Sequence, residues 1–431
     1  MAEIRPFRGI CPRADLTERI AALPYDVYSR QEAKAEVLRE PLSFLRIDRA
    51  ETQFDDSVDA YAPQVYQKAH DLLWEMITDG SYVQDESAYY YVYELTMDGH
   101  SQTGLVAVSS VDDYLNDVIA KHENTRTEKE TDRIRHVDIC DVQTGPILLA
   151  YRRNETVHAC IEKVKETAAF FDFIAPDGVR HRGWKIMSQE YIETITEIFA
   201  SEVSKTYIAD GHHRAASAVR VAQRRREAAV QHGELTGKKE YDYFLSVLFE
   251  DEELRIMAYD RVIEDLNGLT PQELLIRMDE KCEIRENTVP DHICEDGICH
   301  MVMANKPFHP KQKGQIGMYL DKKWYRLSFK KTAVGDPPAD SLDVAVLQRE
   351  ILEPFLGIDD PKKNERIFYV GGHSDEELKK MADRTGGVAF VMYPTSMEEL
   401  FAVADEHLLM PPKSTRFEPK LCSGLFLHAL S

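Results

Sequence analysis

The sequence predicts a mixed α/β protein, with α+β character in its second half. Three observations carry that expectation. Short apolar runs of β type, such as 145–151 and 243–249, alternate with segments whose apolar residues recur at helical spacing. Hairpin and turn signals separate the runs. A strand, a glycine turn and a helix start meet within a dozen residues at 206–218.

Along the chain, Pro24 precedes Tyr25-Asp26, an extended or turn segment that presents the Asp26 carboxylate. A charged helix is expected over about 29–39. A second is expected over 57–79, where Val58, Tyr61, Val65, Ala69, Leu72, Leu73 and Met76 share a face. The tyrosine-rich run 89–95 and the run 102–109 read as strands joined by a hairpin turn at Met97-Asp-Gly-His100. The tyrosines read as packed rings rather than a base-stacking platform. Helices follow over 156–170 and 188–204, with β segments around 170–186 between them. The strand 243–249 is followed by a turn and a returning segment, 254–259.

Beyond about residue 265 the character changes. A helix over 271–281, β segments to 329, a helix over 343–352 ending before Pro354, and a β-α-β pattern over 368–393 are expected. At 431 residues two domains are the default, here 1–265 and 266–431.

Composition narrows the function. The 43% apolar and 30% charged fractions are those of a soluble globular protein. A formal charge of −22 repels a nucleic-acid backbone, so general nucleic-acid binding is disfavoured. No run approaches the length of a membrane span, and the N-terminus lacks the apolar core of a signal peptide. A cytoplasmic enzyme is the expectation. The seven cysteines are dispersed and form no Cys-x-x-Cys pair, which suits reduced thiols. His292, Cys294, Cys299 and His300 are all zinc-ligand types, but they lack the two-pair spacing of zinc sites. A hairpin around Glu295-Asp-Gly297 accounts for that segment, and metal binding by the four remains open.

The chemistry concentrates at the glycine turn. The run Tyr207-Ile-Ala209 ends at Asp210-Gly211, then His212, His213 and Arg214 open an alanine-rich helix. A helix N-terminus offers unpaired N–H groups and a positive dipole end, which suits a phosphate. Gly211 lets the backbone approach a ligand. Arg214 can grip two phosphate oxygens at once. Ser217 lies about one helical turn further on. A phosphoryl transferase also needs a carboxylate near its acceptor hydroxyl. Lys121-His122-Glu123 supplies one candidate carboxylate in Glu123, with His122 beside it. Asp26 is a second candidate, as base or metal ligand. The basic, proline-rich loop 410–426 offers Lys413, Ser414, Thr415 and Lys420 as further anion contacts. A P-loop, a Rossmann glycine pattern, a Gly-x-Ser-x-Gly elbow and a His-Glu-x-x-His helix are all absent.

The chain resembles the bacterial domain-of-unknown-function 1015 family over nearly its whole length. Five ordered motifs carry the resemblance: Pro24-Tyr-Asp-Val27, Lys121-His-Glu-Asn-Thr125 with Asp132-Arg133, Gly145-Pro-Ile-Leu-Leu149, Asp210-Gly-His-His-Arg214, and Met410-Pro-Pro-Lys-Ser-Thr415 with Glu418-Pro-Lys420. The pentapeptide Asp210–Arg214 also resembles the phosphate-binding motif of the ParB/sulfiredoxin-like fold. Free serine kinases of the SerK type have that fold and that pentapeptide, and place a catalytic glutamate in an upstream Pro-His-Glu segment. The matching segment here departs at Lys121 and stands further from Asp210.

The resemblance implies a ParB/sulfiredoxin-like core with insertions, plus a smaller α+β C-terminal domain whose tail returns to the site. It implies transfer of a phosphoryl group from ATP, ADP or pyrophosphate, with Mg²⁺, to a small hydroxyl acceptor, with free L-serine as the best guess. Glu123 would be the general base, and Asp210, His212, His213 and Arg214 would hold the donor phosphates. Sulfiredoxin chemistry is disfavoured because the motif holds no cysteine. A nucleotide-binding regulatory module is the main alternative, and a ParB-like nuclease or DNA-binding protein a weaker one.

Overall fold

Apolar runs buried on both faces build a nine-stranded mixed sheet in the computed structural model. The model describes every residue except 125–126, 234–236, 296–297 and 330–335, and leaves the side chains of 127–129 and 292–300 undescribed as well. The four candidate zinc ligands lie outside the described side chains. Their backbone forms the expected hairpin, with Thr288–Glu295 paired antiparallel to Ile298–Asn305.

Eight strands follow one path: Ile119–Ala120, Thr206–Asp210, Ile147–Tyr151, Tyr243–Glu250, His100–Ser110, Tyr90–Met97, Arg180–Ile186 and Phe171–Ile174. Ile4–Arg5 adds to His100–Ser110. The strand Thr206–Asp210 runs parallel to Ile119–Ala120 and antiparallel to Ile147–Tyr151. The mixed α/β class read from the sequence is the class of the structure. Tyr90, Tyr91 and Tyr93 are fully buried, as packed rings. Leu105, Leu149, Ile208, Phe244 and Leu248 form the centre of the core with Ala215, Ala218 and Ala222 of the following helix. Small residues on that helix face let it approach the sheet closely.

The chain divides into two units, Met1–Leu254 with Pro419–Ser431, and Arg255–Glu418. This differs from the expected boundary at 265/266. Asp260–Ile263 is an inner strand of the second unit, hydrogen-bonded to Ile367–Val370 and Val388–Val391. The expected return at 254–259 does not pair with the strand before it. Ile256–Met257 pairs instead with Arg416–Phe417. Six strands make the sheet of the second unit, in the order Cys282–Glu286, Lys323–Phe329, Gln315–Leu320, Val388–Val391, Asp260–Ile263 and Ile367–Val370.

Helix limits show where local rules held. Ser29 caps Arg30–Arg39 through a reciprocal bond with Glu32. The expected helix over 57–79 begins only at Pro63, whose fixed φ suits a first helical position, and runs Pro63–Thr78. The helix expected to stop before Pro354 continues through it. A π-helical turn, Gln348–Leu352, precedes the helical Glu353–Leu356. Widening the turn accommodates the hydrogen bond and the space that a proline denies.

The segment Pro419–Ser431 is anchored in the first unit. His428–Ala429 pairs with Val142–Gln143, the Tyr82 phenol donates to the Gly424 carbonyl at 2.8 Å, and Leu425, Phe426 and Leu427 are fully buried. Cys11, Cys140, Cys160, Cys282 and Cys422 are buried. No described helix is long and apolar enough to cross a membrane.

Candidate functional site

The strand Thr206–Asp210 reaches its end through a register shift between Ile208 and Asp210. Such a bulge re-aims the side chain that follows it, here the Asp210 carboxylate. Gly211 then adopts φ 94° and ψ 29°, a left-handed conformation that favours glycine. A Cβ at Gly211 would also lie 3.1 Å from the Arg214 guanidinium. The helix His212–Gln231 starts at once, and no side chain caps it. A helix N-terminus places N–H groups and the positive end of its dipole at this point, the sense that favours an anion.

Arg214 folds back over this turn. Its Nη1 donates to the Pro146 carbonyl and its Nη2 to Asp210 Oδ2 at 3.2 Å. A Cβ at Gly145 would lie 3.2 Å from the Ser423 hydroxyl and in ordinary contact, 3.4 Å, with Arg214 Nη1. Lys420, on the docked terminal segment, places its ammonium 3.6 Å from Asp210 Oδ1. Asp210 thus sits between two cations.

On the other side, Glu123 Oε2 lies 3.8 Å from His212 Nδ1, and the Glu123 side chain is 53% exposed. The His122 and His212 rings meet edge to face at 4.5 Å. Both are buried, and His122 Nδ1 and His212 Nε2 have no hydrogen-bond partner. Burial pushes the His122 imidazole down to about 4 despite the nearby Asp210. Burial, then His122 and His213, hold His212 well below its ordinary value. The pair is neutral at pH 7.

This buried pair predicts an acid sensitivity. An unfolded His122 takes a proton near pH 6.5, whereas the folded one resists it down to about 4. The unfolded chain binds more protons in that window, so the stability is present above about pH 6.5 and lost as pH falls toward 4. His122→Phe is expected to lose less stability than the parent between pH 7 and 4.5, by roughly 2–3 kcal/mol. Urea unfolding at both pH values measures this. Parallel losses in the two proteins would contradict it.

The structure brings together Glu123, His122, Asp210, Gly211, His212, Arg214 and Lys420, with His213 half-buried beside them. Two expected anion ligands are corrected. Ser217 is fully buried, and its hydroxyl lies 2.7 Å from the His213 carbonyl and 3.1 Å from the Glu130 carbonyl. It ties the motif helix to the helix Thr127–Cys140 and offers nothing to a phosphate. Ser414 is buried, its hydroxyl donating to the Pro411 carbonyl at 2.7 Å and its own carbonyl accepting from Thr395 at 3.0 Å. It shapes its turn.

Lys413, Ser414 and Thr415 belong to the second unit. There Lys413 has φ 55°, and its ammonium lies 5.1 Å from the Tyr259 ring centroid. Thr415 is half-buried. Two residues in the same unit were not singled out from sequence. Arg261 is 3% exposed, donates to the Lys413 carbonyl at 3.1 Å, and is pulled by burial down to about 10. Arg416 packs on Gly371 and Gly372, with a buried Nε that has no partner.

Sequence reasoning also left Arg133 without a role. The residue is 7% exposed, bonds Asp132 through Nε at 2.8 Å and Nη2 at 2.7 Å, and lies 4.0 Å over the Tyr25 ring. Pro24, Tyr25, Arg133, Gly145 and Arg214 line one cavity of about 30 Å³. Four of the five sequence motifs therefore converge around the arginine of the turn. Asp26 is exposed and does not line that cavity.

As for a metal, the one group of three closely spaced ligand atoms among the described residues is His158, Glu250 and Glu253, away from the motif turn. At the turn Asp210 is the carboxylate available. That fits Mg²⁺ only in the mode where one or two carboxylates and the substrate's own phosphates share the ion.

At the end of a strand of this α/β core, a left-handed glycine, a helix N-terminus without a side-chain cap and two flanking cations meet. Residues 4–345 match the family described as "Protein of unknown function (DUF1015)", and the chain belongs to that family. No curated protein matches it significantly. Among solved structures the chain is similar to a free serine kinase in complex with AMP, at 13% identity and TM-score 0.31, covering 73% of this chain and 86% of that one. A conserved hypothetical protein from Pyrococcus furiosus is similar at 15% identity and TM-score 0.31, covering 74% and 92%. SbnI from Staphylococcus aureus, truncated at its C-terminus, is similar at 11% identity and TM-score 0.35, covering 75% and 87%.

Proposed function

We propose that the protein transfers a phosphoryl group from a nucleotide or pyrophosphate to a small hydroxyl acceptor, with free L-serine the first acceptor to test. The observation that carries this reading is the exposed Glu123 carboxylate, 3.8 Å from a histidine on the first turn of an uncapped helix. A pure phosphate-binding turn has no use for a carboxylate at that place, because it repels the ligand. A transferase needs one to take the acceptor's proton.

In this reading the first-turn N–H groups, Arg214 and Lys420 hold the donor phosphates. His212, with His122 packed against its ring, stands beside Glu123. Asp210 is the group that would share Mg²⁺ with the donor, and the ion would neutralise charge on the phosphates being parted. Lys413 and Thr415 are further contacts to probe by substitution, as is His213.

Incubation with L-serine, Mg²⁺ and in turn ATP, ADP, CTP and pyrophosphate, followed by mass spectrometry, is expected to yield O-phosphoserine with at least one donor. Donor binding with no product from serine or a panel of other small alcohols would favour a regulatory nucleotide-binding module instead.

A further inference from the structure

A second opening lies in the first unit, next to the cavity that Arg214 lines and sharing Tyr25, Asp48, Arg133 and His136 with it. It is a cleft of about 260 Å³ between the Tyr25–Val27 turn and the helices Pro63–Thr78 and Thr127–Cys140. It has room for a molecule of several heavy atoms.

Its charges are unbalanced. Four carboxylates and two guanidiniums line it. Asp132 is matched by Arg133 at 2.7 Å and also accepts from the Tyr66 phenol at 2.8 Å. Glu51 is matched by Arg49 at 2.6 Å, and Arg49 spends its remaining reach on the carbonyls of Tyr25 and Tyr28. Asp26 and Asp48 form no ion pair among the described residues. Asp48 is buried and accepts from the Thr144 hydroxyl at 3.0 Å, whereas Asp26 is exposed at the mouth. The cleft therefore carries an excess of negative charge, walled partly by tyrosine rings.

One wall residue makes a more specific demand. His136 is 3% exposed, lines the cleft and meets the Ile47 carbonyl through Nε2 at 3.1 Å. A carbonyl only accepts, so Nε2 carries the proton and Nδ1 of the neutral ring is an acceptor. That Nδ1 is buried with no hydrogen-bond partner. An orphaned buried acceptor is costly and calls for a donor. Excess carboxylate, aromatic walls and an unfilled acceptor all ask for N–H groups on a cation.

We propose that this cleft is a binding site for a small primary amine, with its ammonium held at the Asp26 and Asp48 end. The proposal rests on the charge of the cleft and on His136, and not on the phosphotransfer reading.

Calorimetric titration of the full chain without nucleotide tests it, using ethanolamine and its uncharged counterpart ethylene glycol. Ethanolamine is expected to bind and the glycol to bind at least about tenfold more weakly. Asp26→Asn, a change at an exposed residue, is expected to weaken ethanolamine about tenfold or more while leaving the melting curve unchanged. His136→Phe, which keeps the ring volume but removes the acceptor, is expected to weaken it as well. Absence of ethanolamine binding at 10 mM (roughly a hundredfold weaker than about 0.1 mM, a common small-ligand affinity) would overturn the proposal. Equal binding of the glycol, or unchanged affinity in Asp26→Asn, would overturn it too.

Discussion

Glu123→Gln is expected to lower phosphotransfer by about 10²-fold or more while donor binding stays within a few-fold of the parent. The change keeps the size of the side chain and removes only its capacity to accept a proton. Glu123 is half exposed and lies 3.8 Å from His212 Nδ1, a place that a glutamine of the same size can fill. In the proposed reading the phosphate contacts come from other groups, namely the helix N–H groups, Arg214 and Lys420. Steady-state rates at saturating donor and acceptor, with donor affinity measured separately, distinguish the two effects. A loss of less than about tenfold would remove Glu123 as the base, because positioned proton transfer contributes 10²–10⁴.

Arg214→Lys is expected to do two kinds of damage. The guanidinium bonds the Pro146 carbonyl and Asp210 from two nitrogens held in one plane. A lysine ammonium is a point charge on a flexible stem and cannot reproduce that fork. One partner is left unmatched, at a cost of about 1–3 kcal/mol in stability. Asp210 also loses its orientation, and the donor KM is expected to rise at least about tenfold, since misplaced phosphate contacts weaken the donor in ground and transition states alike. Thermal melts and initial-rate kinetics measure the pair of effects. A donor KM equal to that of the parent would mean that Arg214 serves the fold alone.

The motif turn was legible because its signals are local. An apolar run, a glycine and an alanine-rich segment give strand, turn and helix without reference to the rest of the chain. The hairpin at Met97–His100 was legible for the same reason, with Asp98 and Gly99 both at positive φ. Ser217 shows where local reading stops. Spacing put it one turn beyond Arg214, but its Oγ lies 2.7 Å from the carbonyl four residues earlier, an alternative open to any helical serine. Lys420 read only as one cation in a basic loop. Its neighbour Asp210 is 210 residues away, and nothing short of the docked terminal segment connects them. Arg133 had the same difficulty, because its stacking on Tyr25 is decided by the packing of separate helices. Pro354 misled because its usual effect on a helix was absorbed by a π turn.

The docking of Pro419–Ser431 into the first unit also has a consequence for biosynthesis. The ribosome makes residues 1–254 first, but the segment bearing Lys420 emerges only after 255–418 have been translated. At about 5–20 residues per second that interval is on the order of 10–30 s. Throughout it the nascent first unit has its glycine turn and Glu123 but lacks Lys420, the strand partner of Val142–Gln143 and the apolar plug Leu425–Leu427. Completion of the cluster around Asp210 is thus a late step, separate from folding of the bulk of the sheet and built into the order of the chain.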